Sequence, residues 1–410
     1  MAKIFADRLV VSIDVGTTKI CVLVAHVLDK DHIEVLGIGK AGCDGLRKGV
    51  VVDIHKTIAS IKSAITEAEL MADVTINTAA VGISGGHIHS TNSSGMVAVK
   101  HGEVKESDVA NVINAAKAIA IPEGMQILHV LPQFFIIDSR EKVQNPVGMH
   151  GVRLEVQAHI IMGAIASVQN LVKCCELAGV KVTDIILEQL ASADAVLSDD
   201  EREIGVAMLD IGGGTSDLAI YQNGNIRHTF VLPVAGNHFT NDLAIGLRTT
   251  IKDAERIKKE YGCVYSDSLG ADQLLEIPTA QGNQMQLVQT SDLLAILAPR
   301  AQELLYLIQE EIVKQRLQSM MSAGLVLTGG GSLLGGMKEL AQDIFEIPVR
   351  VGMLAPQYSM MQSLESPIYA TGYGLLKQVI RQKNQTLDTL GGPAVTRIFM
   401  RMKSWVIDFF

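Results

Sequence analysis

The sequence has little charge, few aromatic residues and few cysteines. Charged residues make up 19% and aromatic residues 4% of its 410 residues, whereas 48% are apolar. A chain of this kind buries enough apolar surface for two or more cores, which excludes an intrinsically disordered protein and a small disulfide-stapled scaffold. The five cysteines are odd in number and lack framework spacing, which favours a reducing compartment.

An excess of basic residues and a long uncharged apolar run are also missing. The 44 acidic residues outnumber the 35 basic ones and give a net charge of −9, which argues against a nucleic-acid-binding protein. The most apolar stretch, residues 9–28, contains Asp14 and Lys19. Because a membrane-spanning helix needs about 20 residues with few or no charges, the sequence predicts no such helix.

Two similar segments occur in the two halves of the chain. Residues 9–24 (LVVSIDVGTTKICVLV) and 205–220 (GVAMLDIGGGTSDLAI) each read as an apolar strand ending in Asp, a turn of Gly and Thr, and a second apolar strand. Aligning Asp14 with Asp210 also aligns their following glycines. The repeat predicts a duplicated α/β domain in which each half contributes one turn to a shared cleft.

A self-contained segment at residues 84–163 interrupts the first half. Its apolar spacing predicts, in chain order, a strand over 95–99, a helix over 107–120 and strands over 125–138 and 153–163. This order indicates an inserted strand-helix-strand-strand subdomain. Elsewhere the patterns predict helices over 51–72, 166–179, 238–261, 292–318 and 367–380, strands over 76–85 and 182–187, a strand-turn-helix over 323–345, and a loop-rich stretch over 262–290.

Three glycine-rich turns, at residues 14–19, 210–217 and 329–332, are the main candidates for a binding site. Small side chains leave successive backbone N–H groups accessible, and such groups bind phosphate oxygens. Aspartate side chains in the first two turns are hard oxygen ligands suited to Mg²⁺, usually through retained waters. A single turn of this kind is usually a hairpin or a helix cap, but the three together with the repeat favour nucleotide binding.

Residues 395–410 (VTRIFMRMKSWVIDFF) form an amphipathic pattern at the end of the chain. On a helical wheel one arc collects the apolar residues Val395, Ile398, Phe399, Met402, Trp405, Val406, Phe409 and Phe410. The segment is too short to span a bilayer and suits the plane of an anionic membrane interface, where Trp is favoured. The alternative is a terminal helix docked on the protein body. Residues 381–394 are polar and contain Gly-Gly-Pro, which predicts a flexible linker.

The three turns resemble the phosphate-1, phosphate-2 and adenosine motifs of the actin/Hsp70/sugar-kinase superfamily. Within it, the segment inserted after SGGHI, the run NPVGMHGVRLEVQAHII, AGNHFTNDLA with AERIKKEYG, and the amphipathic tail resemble the FtsA family of bacterial cell-division proteins. The resemblance implies a two-lobed actin-like (ribonuclease H-like) fold. Together the patterns divide the chain into a first lobe (1–83, 164–194 and 359–380), the inserted subdomain (84–163), a second lobe (195–358, with a smaller subdomain near 227–315), a linker (381–394) and a membrane-targeting helix (395–410).

The resemblance also implies an ATP site. One side of the phosphates would be held by Gly16, Thr17, Thr18 and Lys19, the other by Gly212, Gly213, Gly214 and Thr215, and the adenosine by Gly329, Gly330, Gly331 and Ser332. Asp14, Asp210 and Asp217 would lie near Mg²⁺. Glu255 and Lys258 would contact the ribose and base, although their spacing alone indicates an exposed ion pair. Asn241 and Asp242 are neighbours of the nucleotide or only helix caps.

The resemblance implies a function at the inner face of the bacterial cytoplasmic membrane, at the division site. Such a protein would tether the FtsZ ring to the membrane, bind the C-terminal peptide of FtsZ through the region of Arg300, recruit later division proteins and polymerise through the inserted subdomain. It would bind ATP with at most weak hydrolysis, and no residue of the sequence stands out as a catalytic base. A small-molecule kinase, an actin-like pilus-assembly ATPase and an Hsp70-like nucleotide domain are the alternatives.

Overall fold

The computed structural model describes residues 9–28, 33–140, 142–281, 284–354 and 364–389. The strands are β1 Leu9–Val15, β2 Lys19–Val27, β3 Ile33–Gly42, β4 Leu46–Arg47, β5 Val50–Val51, β6 Thr78–Ile83, β7 His89–Ala98, β8 Met125–Ile137, β9 Lys142–Val143, β10 Arg153–Ala164, β11 Lys181–Leu187, β12 Val206–Ile211, β13 Ser216–Gln222, β14 Asn225–Leu232, β15 Leu274–Pro278, β16 Met285–Gln289, β17 Leu325–Thr328 and β18 Val349–Val351. The α-helices are α1 Ile54–Ala72, α2 Glu106–Ala116, α3 Ile165–Leu177, α4 Glu188–Val196, α5 Asp199–Ile204, α6 Gly236–Gly246, α7 Ile251–Tyr261, α8 Thr290–Lys314, α9 Met337–Phe345 and α10 Ala370–Thr389.

The two five-stranded sheets have the same topology. The strand order is β3-β2-β1-β6-β11 in the first and β14-β13-β12-β17-β18 in the second. In each sheet three consecutive strands pair antiparallel, and two more strands pair parallel beside the first of them. Since β1 and β12 are central strands of covered sheets, nearly all their residues are buried. The predicted duplication is therefore confirmed.

Helices cover both faces of the two sheets. On the first sheet, Ile61 of α1 and Val168 of α3 belong to one core, and Tyr373 of α10 belongs to the core on the other face. In the second lobe, α6 to α9 pack on one face and Ala193 of α4 packs on the other. Helices α4 and α10 also pack against each other. These two helices therefore join the lobes and lie behind the cleft described below.

The inserted subdomain is a four-stranded antiparallel sheet, in the order β7-β10-β8-β9, with α2 packed on it. Strand β7 begins at His89, earlier than predicted, and α2 ends at Ala116 rather than at residue 120. The close packing of α2 on β7 depends on Gly95, where an added Cβ would lie 2.2 Å from Val112 O. Ala116 is fully buried, so the helix ends with its last residue packed on the sheet.

Side chains of the inserted subdomain cover β14, the edge strand of the second sheet. Ser90 Oγ donates to Thr229 O at 2.8 Å, and Gln133 Nε2 donates to Ile226 O at 2.9 Å. His159 is 1% exposed and contacts Thr229 Oγ1 through Nε2 at 2.9 Å. These bonds satisfy backbone groups that an edge strand otherwise leaves open. They also fix the subdomain on the second lobe.

Acid should weaken this contact. Burial, and secondarily the charge of His228, lowers the pKa of His159 to about 3, so its imidazole is neutral in the fold. Below about pH 6.5 the unfolded chain binds a proton that the folded chain does not, and the free energy of unfolding falls. Between pH 6.5 and 5.5, we expect the free energy of unfolding of His159→Gln to fall by about 1 kcal/mol less than that of the wild-type protein. Urea unfolding of both proteins at the two pH values measures this, and parallel losses would contradict it.

The helices predicted near 238–261 are confirmed as α6 and α7, which are separated where Arg248 adopts φ 51° and Thr250 caps α7 by accepting from Asp253 N. Two other predicted elements differ in the structure. The loop-rich stretch over 262–290 contains the hairpin β15–β16. Helix α10 continues to Thr389, so residues 381–389 of the predicted flexible linker are helical, in keeping with a sequence that lacks Gly and Pro there.

The predicted membrane-targeting helix at residues 395–410 lies outside the described residues. Within its apolar arc, the candidate membrane contacts therefore remain predictions: Ile398, Phe399, Met402, Trp405, Val406 and Phe409. Within the described ranges, no helix is long and apolar enough to cross a membrane.

Candidate functional site

The two aspartate-bearing turns meet in one cleft. Asp14 is the penultimate residue of β1, directly before the first turn, and Asp210 holds the corresponding position in β12, before the second turn. The cleft between them is lined by Asp14, Val15, Gly16, Thr17, Thr18, Lys19, Gly49, Glu188, Asp210, Gly212, Gly213, Gly214, Thr215, Asp217, Gly329, Gly330, Pro367, Ile368 and Thr371. The repeat found in the sequence thus places its two turns face to face.

Glycine is required where the turns touch. A Cβ on Gly213 would lie 2.4 Å from Thr18 Oγ1, and one on Gly214 would lie 2.2 Å from Thr17 Oγ1. Real Cβ atoms do not approach other atoms this closely, so a side chain at either position would push the turns apart. In the part of the chain that the structure describes, the N–H groups of these two glycines donate to no backbone acceptor. They are therefore available to an anion in the cleft.

The third turn closes the floor of the cleft. Gly329 adopts φ 76° and ψ 170°, a conformation that is essentially confined to glycine. A Cβ at this position would lie 2.1 Å from Asp210 Oδ1. Ser332 Oγ donates to Gly329 O at 2.7 Å and thereby holds the turn in this shape. The third turn therefore lies directly against the carboxylate of Asp210.

Three aspartates are buried in the cleft. Asp14 is 6%, Asp210 7% and Asp217 3% exposed. Burial raises the pKa of Asp14 to about 6, although Lys19 opposes the shift. Burial also raises the pKa of Asp217 to about 7, against hydrogen bonds from Ser84 and Thr215. Because the acids repel one another, a cation entering the cleft would stabilise their ionised forms.

Lys19 lies on the first-lobe side of the same cleft. Its Nζ donates to Ile368 O and stands 5.1 Å from the centroid of the Tyr369 ring. Burial raises the pKa of Asp14 and of Glu188, and the charge of Lys19 opposes this rise. Lys19 is therefore the cationic side chain that the cleft places beside its carboxylates.

Comparisons with known proteins identify the family. A family model described as "Cell division protein FtsA" matches residues 207–374, and one described as "SHS2 domain inserted in FTSA" matches residues 85–162. The cell division protein FtsA of Pseudomonas aeruginosa is 41% identical, over 99% of both chains. This chain belongs to the FtsA family of cell division proteins. FtsA of Neisseria meningitidis is 40% identical (98% of this chain, 99% of the relative), and that of Bacillus subtilis is 38% identical (92% and 84%).

Solved structures confirm the actin-like fold of this FtsA-family chain. A PilM–PilN type IV pilus biogenesis complex matches with a TM-score of 0.64 at 16% identity, covering 90% of this chain and 98% of that one. MreB5 of Spiroplasma citri bound to AMPPNP matches with a TM-score of 0.58 at 16% identity, covering 94% and 99%. At such identities the likeness concerns the fold alone.

Glu188 is a cleft residue of the FtsA-family chain that the sequence did not reveal. It begins α4 directly after β11, the parallel edge strand of the first sheet. Burial, followed by the charges of Asp14 and Asp217, raises its pKa well above the usual range. The position could have been found from the rule that ligand-binding residues follow the carboxyl ends of parallel strands.

Several predicted nucleotide contacts lie outside the cleft lining. Glu255 Oε2 and Lys258 Nζ pair with each other at 2.7 Å, as their spacing alone indicated. Lys258 Nζ also donates to Gly236 O at 3.0 Å, and Gly236 N donates to Gly212 O, so the pair supports the second turn through Gly236. Asn241 is exposed on α6. Gly331 and Ser332 are likewise not among the residues that line the cleft.

Arg300, the predicted partner contact, is engaged within the chain. Its Nε and Nη2 donate to the two carboxylate oxygens of Asp242 at 2.6 and 3.1 Å, and it also pairs with Glu303. The bidentate bond ties α8 to α6. With 27% of its side chain exposed, Arg300 remains accessible from solvent.

The cleft residues fit a phosphate-bound cation better than a bare one. Among the described residues, no group of three His, Cys, Asp or Glu side chains is arranged to hold a metal ion directly. Mg²⁺ commonly binds through one or two carboxylates, waters and substrate phosphates, which the buried aspartates and the free turn amides suit. The cavity between the turns measures about 60 Å³, whereas small-molecule pockets usually measure about 300–1,000 Å³. In this structure the cavity is therefore smaller than a usual small-molecule pocket.

Proposed function

We propose that this FtsA-family protein binds ATP with Mg²⁺ between its two lobes. The observation that carries the proposal is the meeting of two topologically equivalent aspartate turns, with free amides of Gly213 and Gly214, in one buried cleft. Structures of the same fold, those of MreB5 from Spiroplasma citri, are bound to ADP and to AMPPNP. Glycine-rich turns of this kind bind phosphate oxygens in unrelated folds as well.

Different cleft residues contact the phosphates, the Mg²⁺ ion and the nucleoside. The amides of both turns and the hydroxyls of Thr17 and Thr18 donate to phosphate oxygens. Thr215 Oγ1, which donates to Asp217 Oδ2 at 2.9 Å, exchanges that carboxylate for a phosphate oxygen. Lys19 exchanges Ile368 O for a phosphate oxygen, which is a stronger partner because it is charged. Asp14, Asp210 and Asp217 hold Mg²⁺ through its waters, and the bound cation neutralises phosphate charge. The turn at 329–332 and the Glu255–Lys258 pair flank the nucleoside.

Loss of Lys19 tests the ATP site. We expect Lys19→Ala to weaken binding of a fluorescent ATP analogue at least tenfold, because one charge-assisted hydrogen bond to phosphate is lost. Lys40→Ala is the matched control, since Lys40 is an exposed lysine on β3 of the same sheet. A titration followed by fluorescence anisotropy measures both. Equal affinities for the two variants would place the nucleotide elsewhere.

Glu188 is the candidate group for positioning a hydrolytic water. It lines the cleft beside the aspartates, and burial together with their charges raises its pKa above the usual range of a glutamate. We expect Glu188→Gln to reduce ATP turnover about a hundredfold while analogue binding changes less than twofold. Phosphate release under single-turnover conditions measures the first and anisotropy the second. Unchanged turnover would exclude Glu188 from the reaction.

The remaining part of the proposal concerns the cell. We infer that residues 395–410 attach the protein to the cytoplasmic face of the bacterial inner membrane and that nucleotide-bound subunits polymerise through the inserted subdomain. The smaller subdomain, with Arg300 at its surface, would receive the C-terminal peptide of FtsZ and so tether the FtsZ ring. Later division proteins would join through the same scaffold. Membership of the FtsA family supports this role over the kinase and pilus-assembly alternatives.

A further inference from the structure

Three hydroxyl groups reach the aspartates of the second lobe from elements outside that lobe's sheet. Ser84 Oγ donates to Asp217 Oδ1 at 2.5 Å. Ser192 Oγ donates to Asp210 Oδ2 at 2.5 Å, and Thr371 Oγ1 donates to the same oxygen at 3.2 Å. Ser192 and Thr371 are also within 3.0 Å of each other. We name Ser84, Ser192 and Thr371 the cross-cleft hydroxyls.

These hydrogen bonds are shielded from solvent. Ser84 is 3%, Ser192 0% and Thr371 9% exposed, and the two aspartates are equally buried. A hydroxyl that donates to a buried carboxylate makes a charge-assisted bond that water cannot easily replace. The orientation of both carboxylates therefore depends on where the hydroxyls stand.

The first lobe and the two helices that join the lobes set the positions of these hydroxyls. Ser84 directly follows β6, a central strand of the first sheet. Thr371 lies in the first turn of α10, where the next residue, Gly372, accepts a hydrogen bond from Ser12 Oγ of β1 at 2.8 Å. Ser192 lies on α4, between the two sheets. Separation of the lobes would move Ser84 away from Asp217, whereas Ser192 and Thr371 stand on the helices that join the lobes.

We propose that the cross-cleft hydroxyls are positioning residues for the divalent cation, which they serve by orienting the carboxylates of Asp210 and Asp217. An ionised carboxylate has about four lone-pair sites, and the hydroxyls occupy sites on one oxygen of Asp210 and one of Asp217. Thr215 Oγ1 donates to the other oxygen of Asp217 at 2.9 Å. The sites that remain on the two carboxylates, those of Asp210 Oδ1 among them, can accept from the waters of the cation. The proposal rests on the function proposed above, in which MgATP binds in this cleft.

A purely structural role is the competing explanation. In that case the hydroxyls would only hold the lobes together, and their loss would weaken nucleotide binding to the same extent with and without a cation. If the hydroxyls position the carboxylates, their loss should instead reduce only the gain in nucleotide affinity that Mg²⁺ provides. Measuring nucleotide affinity in Mg²⁺ and in EDTA separates the two explanations.

Thr371→Val removes one hydroxyl and keeps the shape of the side chain. In the full-length protein we expect the Mg²⁺-dependent gain in affinity for a fluorescent ATP analogue to fall about tenfold. A change of this size corresponds to the loss of one hydrogen bond to a charged group. Affinity in EDTA should change less than twofold, and Thr371→Ser should restore the gain. Ser12→Ala is the matched control, because its buried hydroxyl donates to a backbone carbonyl of α10 and to no cleft acid.

Ser192→Ala gives a second, smaller change should Thr371→Val fail to fold, as judged by circular dichroism. A loss that is equal in Mg²⁺ and in EDTA, or an undiminished Mg²⁺-dependent gain in both variants, overturns the proposal. If the wild-type protein itself binds no ATP analogue, both the proposed ATP-binding function and the positioning role are wrong. If the wild-type protein binds the ATP analogue with Mg²⁺ and both variants bind it with the same affinities, only the positioning role is refuted.

Discussion

Gly329→Ala should destabilise the protein by about 2–5 kcal/mol. The backbone conformation of Gly329, φ 76° and ψ 170°, costs an alanine about 1–3 kcal/mol. The added Cβ would also lie 2.1 Å from Asp210 Oδ1 and 2.7 Å from Ile211 O, so that β12 or the turn must move. Displacing Asp210 disturbs the cleft as well, and we expect ATP-analogue binding to be lost together with stability.

Gly330→Ala is the matched control for this change. It adds the same methyl group one residue along, where the nearest atom, Ile368 Cγ2, lies at an ordinary 3.6 Å. We expect this variant to melt within 2 °C of wild type, consistent with a change of about 0.5 kcal/mol or less. Thermal unfolding followed by circular dichroism compares the two variants. Similar melting temperatures for both would show that the third turn is not packed against Asp210 as described.

The duplicated fold was predictable because its evidence is local. Each half opens with an apolar strand that ends in Asp14 or Asp210, and burial on both faces of a central strand requires that apolar run. The inserted subdomain was predictable for the same reason, since its helix and strands carry their own periodicity. Even so, the start of β7 was missed, because residues 89–94 are mostly polar and exposed at a sheet edge.

The rest of the site was not predictable, because it depends on contacts between distant residues. Ser84 and Asp217, or Thr371 and Asp210, lie far apart in the chain, and Ser and Thr are common residues without a motif here. In contrast, Glu255 and Lys258 pair locally within one helix. The sequence alone favoured that ion pair, and only the resemblance assigned the two residues to a nucleotide.

Removing residues 393–410 should abolish sedimentation with anionic vesicles. The tail concentrates the apolar surface and the basic charge that bind a membrane interface, and it includes the only Trp of the chain. Trp405→Glu should have nearly the same effect as truncation at Gly392, because it places a charge in the apolar arc. Ser404→Glu is the matched control, since the same charge one residue away falls on the polar face. Equal binding by the two glutamate variants would contradict an amphipathic helix.

When MgATP is present, the amount of protein bound to vesicles should rise more steeply than in proportion to the protein concentration. A single short amphipathic helix binds a bilayer weakly, comparable to one acyl chain with an association constant of about 10⁴ M⁻¹. A polymer presents many tails at once, and avidity raises attachment by ~10²–10⁴-fold without any new contact. The same tail fused to a monomeric carrier protein should therefore give a weak hyperbolic isotherm, with or without ATP. If the full-length protein follows that isotherm too, polymerisation does not contribute to membrane attachment, and nucleotide binding in the cleft has no effect on where the protein resides.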